Sequence, residues 1–161
     1  MVESAEAERL SQFWVLNGFS ESELAQVGHF VQEMNFPPGA TLFEQGDVPA
    51  FFYLIERGEV QEIGKDADGL DIQRRRTEAG DYVGHRPLMD DTPCQTTAQA
   101  IQGVRALVIN SDDFKTLLAM FPRLEARLRR IEVVNRLLAI PLFGEFSEEQ
   151  LFHVADLVRL V

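Results

Sequence analysis

The run Pro38-Gly39-Ala40-Thr41-Leu42-Phe43-Glu44-Gln45-Gly46-Asp47, followed by Phe52-Tyr53-Leu54-Ile55-Glu56-Arg57-Gly58-Glu59-Val60, decides how this chain folds. Pro37-Pro38-Gly39 is a turn, Thr41 to Gln45 a short strand, and Gly46-Asp47 with Pro49 the next turn. Phe51 to Glu56 is a dense aromatic and β-branched strand, which Gly58 breaks before Glu59 to Ile63. Working outward, Asp66 to Gly69 reads as a loop, Leu70 to Arg76 as a strand, and Gly80-Asp81 as a turn into Tyr82-Val83. Gln95 to Gln102 and Arg105 to Ile109 close the set. Short strands with glycine-rich turns at this spacing predict an antiparallel barrel or jelly roll.

Helices flank the strands. Ser20 and Glu23 make an S-x-x-E capping box, which satisfies backbone N–H groups that a helix start would otherwise leave orphaned. Leu24, Val27, Phe30, Val31 and Met34 then fall on one helical face. After the strands, Ser111 reads as an N-cap with Asp112 and Asp113 set against the helix dipole, and Phe114, Leu117, Leu118 and Phe121 form the buried face. Pro122 interrupts. Arg123 to Leu138 follows as an amphipathic helix with an apolar stripe of Leu124, Leu128, Ile131, Val134, Leu137 and Leu138. Core packing and a homodimer seam explain that stripe equally well.

The chain also repeats itself. Phe13 to Met34 aligns without a gap on Ile140 to Val161: Phe19 matches Phe146, Ser20 matches Ser147, Leu24 matches Leu151, and Ser147 with Gln150 rebuilds the capping box. The expected organisation is one domain over 1–138 (helices 1–35, barrel 36–110, helices 111–138) and the truncated start of a second copy over 139–161. The adjacent domain of the same chain is thus an expected partner.

Bulk composition narrows the function. The chain has 161 residues, 26 acidic against 15 basic, for a formal net charge of -11. Nucleic-acid surfaces run on clustered Lys and Arg, so no nucleic acid is expected on this segment. Arg74-Arg75-Arg76 is the one dense basic run and reads as a solvated strand face. A single cysteine, Cys94, excludes an intrachain disulfide and fits a reducing, cytoplasmic setting. No apolar run is long enough to span a membrane, and Met1 to Leu10 is too acidic for a signal peptide.

Taken together, the order of elements and the two quoted runs resemble the cyclic-nucleotide-binding, catabolite-activator-like domain family. Gly39 to Asp47 is similar to its opening G-x-x-[IL]-[FI]-x-x-G-D element, and Phe52 to Val60 to the following [FY]-x-[IL]-x-x-G-x-[VA] strand and turn. The resemblance covers roughly residues 13 to 138. It implies a mainly β fold with flanking α: an eight-stranded antiparallel jelly-roll β-barrel (double-stranded β-helix) with N-terminal and C-terminal helices. It also implies a non-catalytic regulatory role, with the barrel coupled to its flanking helices.

The family's pocket reads approximately F-G-E-x-A-L, a spacer, then P-R-[AS]-A-T. Here the run is Val83-Gly84-His85-Arg86-Pro87-Leu88-Met89-Asp90-Asp91-Thr92-Pro93-Cys94-Gln95-Thr96-Thr97. Gly84, Leu88, Pro93 and Thr97 keep the frame. The contacts do not survive. By resemblance, the position of His85 holds a carboxylate that accepts from the ribose 2′-hydroxyl. The position of Cys94 holds an arginine paired with the cyclic phosphate, and Pro87 has no N–H where the family offers one. Losing the arginine and one amide costs about 3–5 kcal/mol, several hundred-fold or more in affinity. Weak or null binding of cAMP and cGMP is therefore expected, with no cofactor. Filling of the pocket by His85, bonded to Thr96 or Thr97, is expected over a substitute anion site of His85 and Arg86; Gln95 completes the candidate lining. A sensor for an altered cyclic nucleotide or dinucleotide is the alternative reading. A Cys94–His85 enzyme is a distant third, since no orienting group or oxyanion site accompanies the pair.

Overall fold

Eight strands lie in two four-stranded antiparallel sheets, ordered β1-β8-β3-β6 and β2-β7-β4-β5. They are β1 (Gln32–Phe36), β2 (Thr41–Phe43), β3 (Phe51–Arg57), β4 (Glu59–Lys65), β5 (Asp71–Glu78), β6 (Tyr82–Val83), β7 (Thr97–Ala100) and β8 (Val104–Asn110). First strand beside last, with the chain crossing between the sheets at every connection but the β4–β5 hairpin, is the jelly-roll arrangement. Helices α1 (Val2–Leu10), a 3-10 turn (Trp14–Leu16) and α2 (Glu21–Gly28) precede the strands. Helix α3 (His85–Asp90) interrupts them, and α4 (Ser111–Met120) and α5 (Pro122–Leu137) follow. The computed structural model describes residues 2–137.

Strand β3 holds the two halves of the core together because it is buried on both faces. Its side chains alternate: Phe52 and Leu54 face the helices, while Tyr53 and Ile55 face the opposite sheet. Strand β8 does the same, with Leu107 and Ile109 on the helical side and Val104, Ala106 and Val108 between the sheets. That is why Phe52-Tyr53-Leu54-Ile55 is a continuous apolar run and not an alternating one. At the β3–β4 turn Gly58 has φ 88°, and a Cβ there would overlap the Gly103 carbonyl oxygen. Only glycine fits.

The capping box forms as read. Ser20 Oγ accepts from the Glu23 N–H at 3.1 Å, and the Ser20 N–H donates to Glu23 Oε1 at 2.9 Å. The helix it starts is shorter than its apolar spacing predicts. It ends at Gly28, and Met34 lies on β1, paired with Ala106 of β8. Phe30 and Val31 pack on the helical core from the turn between them. The boundary expected at residue 35 therefore moves to Gln32, because pairing with β8 overrides the helical pattern. Asn110, not Ser111, caps α4: its side-chain oxygen accepts from the Asp113 N–H at 2.8 Å. Pro122 begins α5, a position where its missing N–H costs nothing.

The front of the α5 stripe is core, since Leu124 and Leu128 are buried with the helical cluster. Ile131, Val134, Leu137 and Leu138 fall outside the described side chains, and so does the second copy from Ile140. Arg127 ties α5 to the N-terminal segment, donating to the carbonyls of Val15 at 2.6 Å and Asn17 at 2.9 Å. Arg123 lies 4.1 Å from the centre of the Phe19 ring and pairs with Glu23. At the other end, Arg9 of α1 donates to Glu56 of β3 through two bonds, at 2.7 and 2.8 Å. Arg105 Nε lies 2.6 Å from the same carboxylate.

Candidate functional site

The segment between β6 and β7 is built to turn twice within a short length. Gly84 enters α3 at φ 90°, where a Cβ would stand 3.0 Å from the Phe51 carbonyl oxygen. Asp91 leaves α3 at φ 53°, in the left-handed region that Asp tolerates. Pro87 sits in the first turn of α3, so the helix forms without its N–H. The β2–β3 turn then clamps the exit. The Cys94 N–H donates to the Asp47 carbonyl at 2.9 Å, the Gly46 N–H to the Cys94 carbonyl at 2.7 Å, and the Gln45 N–H to Thr97 Oγ1 at 2.9 Å.

Between these elements lies a cavity of about 50 Å³. Small-molecule sites occupy roughly 300–1,000 Å³. Of the residues read from sequence, Gly84, His85, Arg86, Cys94, Gln95 and Thr96 line it. Leu88 is instead part of the helical core, and Thr97 is engaged with Gln45. Pro93 faces a separate groove beside Val48 and Lys115.

His85 is 5% exposed, and neither ring nitrogen has a hydrogen-bond partner. The expected bond to Thr96 or Thr97 does not form. Thr96 Oγ1 donates instead to Glu62 Oε2 at 2.7 Å. No bond links His85 to Cys94 either, so the two do not form an activated thiol pair. Burial pushes the imidazole well below its usual range, helped by the positive charges of Arg86 and Arg75. Burial also pushes the Cys94 thiol up, helped by the negative charges of Asp47 and Glu62. Both groups are neutral near pH 7.

Arg75 corrects the reading of the triple-arginine run as a solvated face. Arg76 is exposed and pairs with Glu59 at 2.9 Å, but Arg75 is half-buried and lines the cavity with Glu62, its partner in the β4–β5 register. Alternation along β5 alone could have separated Arg75 from Arg76. Which of them faced inward needed the register. Sequence reasoning also missed Tyr82, whose ring lies 4.8 Å from His85, edge-on. Tyr82 in turn touches Trp14 at 5.5 Å and Phe52 at 5.6 Å, and Phe52 stacks on Phe114 of α4 at 4.7 Å. Trp14 Nε1 donates to the buried Asp81 carboxylate beside it. An aromatic chain therefore runs from the cavity into the core shared by the N-terminal and C-terminal helices.

Among the described residues, no three His, Cys, Asp or Glu side chains converge as a metal site, and no helix is long and apolar enough to cross a membrane.

Comparison with known proteins places these features in a family. The model of the cyclic nucleotide-binding domain matches residues 33–121. The cAMP-dependent protein kinase regulatory subunit of Aspergillus fumigatus is 31% identical over 109 residues, 68% of this chain and 26% of that protein. This chain thus spans about a quarter of the length of that relative. Among solved structures, the regulatory subunit of a cAMP-independent protein kinase A from Trypanosoma cruzi, bound to guanosine, superposes with a TM-score of 0.72 at 22% identity, over 80% of this chain and 45% of that one. A cAMP-binding acyltransferase from Mycobacterium smegmatis superposes with a TM-score of 0.63 at 30% identity, over 82% of this chain and 42% of that one.

Proposed function

This chain belongs to the cyclic nucleotide-binding domain family, and from that membership we propose that it is a non-catalytic regulatory unit of a larger multidomain protein, with a pocket that does not hold cAMP or cGMP in the family's manner. The observation that carries this reading is the reversed placement of charge. By resemblance, a cyclic nucleotide needs a negative group at the position of His85 and a positive one at the position of Cys94. Here the charges acting on His85 are the guanidiniums of Arg86 and Arg75, and those acting on Cys94 are the carboxylates of Asp47 and Glu62. A cyclic phosphate beside Cys94 would meet two acids and a neutral thiol. The residues present do not fit the group.

The rest of the molecule supports a relay. The aromatic chain from His85 through Tyr82 reaches both Trp14 of the N-terminal segment and Phe114 of α4 in one shared core. Arg127 and Arg123 fasten α5 to the segment that carries Trp14. A change at the cavity would shift the packing of that core, and α5 would pass it onward to an adjacent domain. The single cysteine suits a cytoplasmic setting. The fold also accommodates ligands without a cyclic phosphate, as the guanosine-bound neighbour illustrates.

Calorimetric titration of the chain with cAMP and cGMP tests the reading. Dissociation constants near millimolar or beyond support it. Micromolar binding of either nucleotide overturns it.

A further inference from the structure

We infer that a second cavity, between the β2–β3 turn and the entrance to α3, binds a small methylated ammonium cation in a cage of Phe43, Phe51 and Tyr53, beside the Asp47 carboxylate. It shares Phe43, Gly84 and Cys94 as a wall with the cavity beside His85 and takes the rest of its lining from β2, the β2–β3 turn and the start of β3. Such a site is independent of whether cAMP or cGMP binds beside His85.

Tyr53 is the fixed member of the cage. It is 3% exposed, and its hydroxyl donates to the Leu42 carbonyl at 3.0 Å, which holds the ring in one orientation. Phe43 lies 5.8 Å from that ring at 36°, and Phe51 lies 6.0 Å from it at 68°, so the three faces are inclined to one another. Phe43 and Phe51 line the cavity and are only half-buried. An aromatic face carries the negative lobe of the ring quadrupole, and several inclined faces together attract a cation that has little hydration to lose.

Electrostatics select the sign. Among the described residues that line the cavity, Asp47 is the one charged group. Its Oδ2 accepts from the Glu44 N–H at 3.0 Å, which keeps the carboxylate on the turn. The neighbouring groups feel its charge. Burial first, then the negative charge of a Cys94 thiolate and of Asp47, push the Tyr53 hydroxyl up to about 12. Burial and then Asp47 raise the Cys94 thiol in the same direction. An anion here is repelled by Asp47, whereas a cation is drawn to it. One exposed carboxylate holds simple ions weakly, so the aromatic cage supplies the preference for a methylated head over a strongly hydrated one.

Size agrees. The cavity measures about 110 Å³, room for roughly eight water-sized groups, which suits a trimethylammonium head with a short tail. Nucleotide-sized ligands need roughly 300–1,000 Å³. Asp47 and Val48 are exposed and leave a way in. A free small cation and the methylated lysine of a peptide share this head group.

The test is a titration of the full chain with choline at constant ionic strength, followed by alanine methyl signals in NMR. A saturable shift of the Ala50 methyl, which lines the cavity, is expected at millimolar choline, with Ala7 in the helical core as the internal control. The neutral isostere 3,3-dimethylbutan-1-ol should bind about tenfold more weakly or worse. Asp47→Asn keeps an acceptor for the Glu44 N–H and should weaken choline about tenfold, and Phe51→Leu about threefold or more. Glu44→Gln, on the same turn but outside the lining, should leave binding unchanged. A parallel titration with N-acetyl-trimethyllysine amide identifies the source: tighter binding than choline assigns the site to a peptide side chain, and weaker binding assigns it to the free cation. Three results overturn the cation site: no saturable shift up to about 50 mM choline, the neutral isostere binding as tightly as choline, or a folded Asp47→Asn chain with unchanged affinity. The isostere comparison uses the unaltered chain, so it decides even where a variant does not fold.

Discussion

Placing an arginine at position 94 and a glutamate at position 85 should tighten the binding of cAMP measurably. The perturbation is Cys94→Arg together with His85→Glu. Cys94 is anchored on both sides of its peptide by Gly46 and Asp47, so a longer side chain would start from a held backbone. An arginine bonded to a cyclic phosphate contributes about 1.5–3 kcal/mol. The lower end applies to the single variant, since Asp47 and Glu62 stand close to residue 94 and compete for the new guanidinium. That corresponds to roughly tenfold tighter binding. A glutamate at position 85 would be buried, but the charges of Arg86 and Arg75 that disfavour a protonated histidine there favour a carboxylate. The double variant should gain about 3 kcal/mol, on the order of 150-fold, and still fall short of a complete site because Pro87 supplies no N–H. Calorimetry measures the gain, and a thermal melt confirms that each variant is folded. A folded double variant with unchanged affinity would refute the reasoning, because the missing contacts would then not be what limits binding.

Other outcomes follow from single groups. Because the proton affinity of His85 is depressed in the fold, the unfolded chain takes up more protons below pH 6.5, so stability falls with pH there and is fully present above it. Denaturant melts should show a loss of about 1 kcal/mol between pH 7 and pH 5.5. His85→Gln should flatten that slope. Glu56 accepts from Arg9 and pairs with Arg105 while its side chain is 7% exposed; Glu56→Gln should cost about 2–4 kcal/mol by chemical denaturation, more than Arg9→Gln at the exposed end of the pair. Gly58→Ala forces a Cβ against the Gly103 carbonyl at a left-handed φ and should cost more than about 2 kcal/mol in the same assay. Arg127→Gln removes two bonds to the Val15 and Asn17 carbonyls, so hydrogen exchange should quicken in α5 and leave β3 and β8 unchanged.

Features with a local cause were legible in the chain. Ser20 and Glu23 sit three residues apart, and the box they make needs nothing else. The strands from Phe51 to Val83 followed from β-branched and aromatic runs punctuated by glycines that turns require. The three departures at His85, Pro87 and Cys94 are equally plain, because each is a change of side-chain chemistry at a framed position. Non-local pairing hid the rest. Met34 falls on the helical face of Leu24 and Val27 and yet lies in β1, because β8 is available beside it. Asn110 took the capping role from Ser111 because β8 runs one residue further than its apolar run suggests.

The amino-acid order by itself determined the jelly-roll class, the flanking helices and the departures from the family's pattern at His85, Pro87 and Cys94, since these depend on residue type and short spacing. Only the tertiary structure decided what surrounds those positions. The β4–β5 register turned Arg75 and Glu62 into the cavity, and the β2–β3 turn brought Asp47 to Cys94. Close packing on Tyr82 left His85 buried with neither nitrogen bonded. Charge and burial at a site are sums over elements distant in sequence, and the chain acquires those sums only when it folds.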